Sequence, residues 1–244
     1  MDKIGATLSG ELDLSVLSHA QRMDMVQAAR DFLRARAELA KLGQTILDAV
    51  QAGRSRRVVP YNHYPPGDVY DFASHAQYYF HVHREGEYGH FHTFLRPRGM
   101  PLGVHPADPS DWRGPDDNDA LSHLVAISVD AEGQPRQLFT TNRWVTAETW
   151  YKAKDVKAML PCFRIGHDRP SAWANLWVTS LVSLFRPQVE QLLDARDISI
   201  ESLRHRIPGI PVYEDREVEV LSCANVSVDI QIEEIIGSVS SSRT

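Results

Sequence analysis

The sequence predicts an α+β fold: an antiparallel sheet or open β barrel with a long N-terminal helix and further flanking helices. Three observations carry that expectation. Ser15 to Ala52 keeps a heptad pattern, the middle of the chain alternates polar and apolar residues over short runs, and Ser171 to Asp194 is again apolar along one helical side. The chain divides accordingly into an N-terminal helical segment, residues 1–53, and a single α+β domain, residues 54–244.

In the first segment Met25, Phe32, Leu39 and Ile46 recur every seven residues, each followed three places on by Ala28, Ala35, Leu42 or Ala49, and Gly53 marks the end. This seam packs on the domain's own sheet, folds into a helical hairpin broken near Gly43, or joins a homodimer through residues 15–52. Val58 to His75 is rich in Pro and Tyr and predicts an ordered surface loop. Strands are predicted at Gln77–Arg84 and Gly89–Arg96, then a lid-length loop over Pro97–Asp119 containing the acids Asp116, Asp117 and Asp119. A second antiparallel pair, Leu121–Val129 and Gln137–Trp144, precedes a helix over about Ala147–Leu160. Ser171–Asp194 forms a helix kinked at Pro187. Val226, Val228, Ile230 and Ile232 alternate with polar residues as a strand does, and Glu217–Leu221 offers its neighbour.

Composition narrows the function classes. With 244 residues, 43% of them hydrophobic, and a net charge of -6, the chain is neither disordered nor a disulfide scaffold. Net acidity provides no general attraction to nucleic acid or an anionic membrane, and Arg54, Arg56 and Arg57 form only a small basic cluster. Cys162 and Cys223 have no finger or CxxC spacing, so both are expected reduced. The start MDKIGATLSGELDL lacks the pattern of a signal peptide, and Ser171–Phe185 is too short and too polar for a bilayer span, so a cytoplasmic protein is expected.

One constellation carries chemistry. Five of the eleven histidines lie between His75 and His92, four of them as two H-x-H pairs. Residues two apart share a strand face, so His81 with His83, and His90 with His92, each point one way. A two-residue turn at Gly86-Glu87 would set His83 opposite His90 and His81 opposite His92, with all four imidazoles on one face. Such a square can converge on one divalent ion, and thiolate-free ligation suits Fe, Zn, Mn, Ni or Cu without choosing among them. Tyr78, Phe80, Val82, Phe91, Thr93 and Leu95 occupy the opposite, apolar face. On the histidine face Glu85 is the candidate catalytic carboxylate, while Tyr79 and Arg96 are the candidate substrate contacts, Arg96 for an anion. Their place near the hairpin ends predicts that neutral replacements at Glu85 and Arg96 cost little stability. His123 is expected on the face of Val125 and Ile127 as a core residue, and His63, Asp68, Asp71 and His105 as loop residues flanking the site.

The segment His81-x-His83-x-x-x-Glu87 resembles the first half of the cupin metal motif, which implies a small double-stranded β barrel holding iron, manganese or another divalent ion. His75 and Phe94 stand where that motif has glycines, and no second motif follows. The runs also stop at two histidines each, short of the three that alternate in histidine triad hydrolases. The strings YNHYPPGDVYD, HVHR and GHFHTF together resemble an uncharacterised bacterial family, over Tyr61 to about Phe163, which implies no activity. Three functional expectations follow, one of them a metal-free sheet scaffold for protein partners. Three-histidine ligation with an open position makes a mononuclear metalloenzyme, oxygenase or hydrolase, for a small anionic metabolite. Four-histidine ligation makes a non-catalytic metal- or ligand-binding protein.

Overall fold

The computed structural model describes residues 4–51, 58–83, 88–111, 118–206, 209 and 211–241. Its elements are β1 (Ile4–Leu8), α1 (His19–Lys41), α2 (Ile46–Val50), β2 (Tyr64–Tyr70), β3 (Ala76–His81), β4 (Gly89–Leu95), β5 (Ser122–Val129), β6 (Pro135–Thr141), α3 (Arg143–Thr146), α4 (Ala153–Met159), α5 (Ala172–Leu184), α6 (Arg186–Arg206), β7 (Val220–Asn225) and α7 (Val228–Ser241). The strands form one mixed sheet in the order β1-β7-β6-β5-β4-β3-β2. Only β1 and β7 run parallel, and the sheet is open, so the fold is α+β without the closed barrel that the cupin resemblance implied.

The heptad helix is two helices. Ser18 and Gln21 cap the start of α1 reciprocally, at 3.2 and 2.9 Å. It ends at Gly43, whose positive φ lets Gln44 N–H reach back to the Leu39 carbonyl at 3.0 Å and Gly43 N–H to Ala40 at 2.9 Å. The seam residues Met25, Ala28, Phe32, Ala35, Leu39 and Ile46 are buried within this chain, and Phe32 meets Trp177 of α5 at 5.8 Å. Leu42 alone departs from the seam and is exposed, because the helix has already turned away there.

Three other expectations change. Tyr64–Tyr70 is an edge strand rather than loop, pairing Val69 with Tyr78 and bulging through Pro65 to Asp68, where the prolines' missing N–H groups cost no ladder bonds. Ile4–Leu8, for which the sequence predicts no element, is β1. The alternating run after Asn225 is α7, not a strand. Val228, Ile232 and Ile235 also fit helical spacing and are buried, while Ile230 and Ile236 face outward. Ser227 starts that helix by accepting from Ile230 N–H at 3.4 Å. The other long helix breaks at Phe185 between α5 and α6, two residues before Pro187.

Tyr78, Phe80, Phe91 and Leu95 enter the main core with α1 and α5, as their alternation predicts. Phe91 lies 5.4 Å from Trp177, and the buried Tyr78 hydroxyl donates to Asn175 at 2.7 Å. That leaves the histidines on the other face. Among the described residues no helix is long and apolar enough to cross a membrane. Gly53, Arg54, Arg56, Arg57, Glu85, the Gly86-Glu87 turn, Asp116 and Asp117 lie outside the described residues.

Candidate metal centre

Strands β3 and β4 pair His81 with His90 and Tyr79 with His92. This register is displaced by two residues from the one expected of a turn at Gly86-Glu87. Because strand faces repeat every two residues, the displacement changes partners but not sides. His81, His90 and His92 therefore still converge, with one ring nitrogen of each within 4.8 Å of the others, and all three are buried. His83 falls beyond the end of β3. Its ring remains 4.6 Å from that of His81 and 5.1 Å from that of His90, and it stacks on Tyr61 at 5.2 Å.

The triad continues into the sheet. In register with β5, His92 faces Ala126 and Phe94 faces His123, because a bulge at Leu124 interrupts the ladder between Thr93 and Phe94. That extra residue turns His123 away from the face of Val125 and Ile127 and onto the histidine face. His123 is buried as expected, at 2% exposure, but on the histidine face rather than the one expected. His123 Nε2 lies 3.0 Å from His92 Nδ1, and its own Nδ1 lies 3.4 Å from the Thr141 hydroxyl. Its backbone N–H donates to buried Glu148 at 2.7 Å.

The tautomers follow from counting protons. A neutral imidazole has one N–H, so if His92 Nδ1 donates to His123 Nε2, His123 Nδ1 donates to Thr141 and His92 Nε2 keeps a lone pair. That Nε2 is buried with no hydrogen-bond partner among the described residues, although His92 is 0% exposed. An unsatisfied buried polar atom costs about 1–3 kcal/mol, and a cation at the centre of the triad removes that cost. His81 Nε2 and His90 Nε2 are 2.6 Å apart, one donating to the other. Two nitrogens on one ion at about 2.0–2.1 Å each stand about 3.3 Å apart in tetrahedral geometry, so ligation requires these rings to part by well under 1 Å.

The electrostatics keep His81 and His92 neutral. Burial first, then the imidazoles of His90, His83 and His63, push His81 down to about 2. Burial, with His90, His123 and His81 as neighbours, holds His92 well below its usual range. Burial, followed by Arg196 and His90, pushes His123 down to about 3. Metal ligands must be unprotonated, and these are so at neutral pH without a metal's help. Behind them burial raises Glu148 to about 7, against the opposing pull of Arg196.

The remaining residues form the rim. Tyr79 is buried amid His63, His92 and Phe94, its ring stacked on His63 with centroids 3.6 Å apart. Arg96 follows β4 and donates to Gln77 Oε1 at 2.7 Å, the Asn118 carbonyl at 2.9 Å and Asp119 at 2.5 Å, with its guanidinium 5.3 Å over Tyr70. Gln77 in turn donates to Asp68 at 2.6 Å, and Asp68 pairs with His63 at 2.9 Å. Asp71 is drawn off to structural work, accepting N–H groups from Ala73, Ser74 and Gly166 at 2.7, 3.0 and 2.5 Å.

A family model described as a domain of unknown function, DUF6969, matches residues 26–226, most of the chain. The chain belongs to that family. No curated protein and no solved structure matches it. The matched span of DUF6969 runs from α1 through β7 and so contains the whole triad with His63, Asp68 and His123. On this face the chain carries a buried set of three imidazoles that could hold a metal ion.

Proposed function

We propose that the chain is a metal-dependent enzyme acting on a small, anionic metabolite at one divalent ion held by His81, His90 and His92. The single observation that carries this reading is the orphaned Nε2 of buried His92 beside two further imidazole nitrogens. An all-nitrogen donor set suits Zn, Fe, Cu, Ni or Mn. Such an ion supplies Lewis-acid polarisation of a bound oxygen or a binding place for dioxygen. Around it His123 fixes the tautomer of His92, Tyr79 forms the aromatic wall, and Arg96 and Glu85 are assigned to substrate recognition and acid–base work. The reading requires no self-association through Ser15–Ala52, whose seam is buried in the same chain.

A second reading is favoured by His83, whose ring lies close enough to those of His81 and His90 to close the set as a fourth ligand. The protein would then bind metal or a small ligand without turnover. Elemental analysis of protein purified without a histidine tag tests both, with one equivalent of a divalent metal expected and none found in His81→Ala/His92→Ala. Loading with Co(II) then separates them. Added azide changes the visible spectrum if a coordination position is open and leaves it unchanged if four histidines fill the site.

A further inference from the structure

The loop and edge strand beside the triad carry a second imidazole arrangement that metal binding does not require. His63 pairs through Nδ1 with Asp68 Oδ1 at 2.9 Å, and its ring stands edge-on to His81 with centroids 5.7 Å apart. Stacking on Tyr79 at 3.6 Å and 8° fixes the plane of that ring. Asp68 is held from its other oxygen by Gln77, and Gln77 by Arg96. Asp68 also sits at a positive φ of 59° next to Gly67, in the β2 bulge, a conformation that a non-glycine residue keeps only where its surroundings demand it. The His63 side chain is 42% exposed, so the ring reaches solvent as well as the buried centre.

We propose that His63, oriented by Asp68, is the general base of the histidine centre, an inference that rests on the metal-site reading above. With Nδ1–H donated to the carboxylate, Nε2 presents a lone pair toward the rim. A hydroxyl or water brought to the open side of the triad gives its proton to Nε2: the O–H bond breaks, the N–H bond forms, and the electron pair remains on oxygen for attack on a carbonyl carbon, whose π pair moves to the carbonyl oxygen and on its return expels the leaving group with the electrons of its own bond. The positive charge created on the ring faces Asp68, and the proton leaves from the exposed edge to solvent. Asp68 and Gln77 are then positioning residues, and the reaction class is hydrolytic.

The test uses the full chain loaded with Zn(II) and 4-nitrophenyl acetate as the probe, comparing wild type with His63→Gln and Asp68→Asn; asparagine tolerates the positive φ. Zinc content is measured on every sample, and the His63 tautomer is read from long-range ¹H–¹⁵N correlations in the metal-free protein. All three proteins should hold one zinc, with the rate falling about 100-fold or more in His63→Gln. Wild type should show the Nδ1–H tautomer of His63, and Asp68→Asn should lose that preference and most of the rate. Full zinc with an unchanged rate in His63→Gln overturns the inference alone, as does an Nε2–H tautomer in wild type or a loaded wild type no faster than free zinc. A wild type that binds no zinc overturns the metal-site reading, and the inference falls with it.

Discussion

Acidification should unfold the metal-free protein, and the size of the effect follows from four buried groups. His81, His92 and His123 have folded pKa values far below their ordinary 6.5, so below that pH the unfolded chain takes up three protons that the folded chain refuses. Stability from keeping them neutral is therefore lost as pH falls. Glu148 acts the other way. Its folded pKa of about 7 lies above the ordinary 4.5, so the folded chain already holds that proton, and its stabilisation is present below 4.5 and lost as pH rises through 7. Between pH 6.5 and 4.5 the unfolded state thus binds a net two more protons, a slope of nearly 3 kcal/mol per pH unit. Partial titration near 6.5 trims the total to about 5 kcal/mol, comparable with the whole stability of many domains. Urea unfolding in EDTA at pH 7.5, 6.5, 5.5 and 4.5, analysed with a common m-value, measures it. In Glu148→Gln the opposing proton disappears and the slope should steepen to about 4 kcal/mol per unit. A stability that stays level or rises from pH 6.5 to 4.5 would refute the buried neutral state of the three histidines.

Replacing His92 by Ala should abolish metal binding in a calorimetric titration, whereas His123→Ala should retain the triad and weaken binding about 10- to 100-fold by freeing the His92 tautomer. Arg96→Gln should cost about 1–3 kcal/mol in urea unfolding, more than the sequence alone suggests, because its bonds to Gln77, the Asn118 carbonyl and Asp119 are all lost. In Gly89→Ala the new methyl would meet the Phe80 ring at 2.5 Å and the His81 carbonyl at 2.7 Å, so β3 must move away from β4. A loss of about 1–3 kcal/mol is expected from that overpacking, together with weaker metal binding by the same titration.

The histidine face was legible because it depends on a period of two, which survives the wrong register: slipping β3 against β4 by two residues exchanges partners and leaves His81, His90 and His92 together. The core face of Tyr78, Phe80, Phe91 and Leu95 was readable for the same reason. Where two periods coincide the reading failed, since Val228 and Ile232 suit a strand as well as a helix, and only Ser227 as a cap pointed to α7. His123 was misplaced because one unpaired residue in β5 leaves no mark on the alternation. His63 and Asp68 reach the site through Pro65 to Asp68, a bulge whose Pro-Pro-Gly composition reads locally as loop and says nothing of the edge strand it joins. The seam of α1 was visible, but its choice of partner, α5, depends on contacts more than a hundred residues away.

The bulge at Leu124 makes the chemistry of this face depend on one backbone irregularity rather than on the alternation of letters. Excising that leucine would leave His123 directly before Val125 in a regular ladder, still opposite Phe94 and on the histidine face. Keeping Leu124 while losing the bulge would instead put the leucine opposite Phe94 and carry His123 to the core side, where His92 loses its partner at Nδ1. Metal binding should then weaken as in His123→Ala, by about 10- to 100-fold.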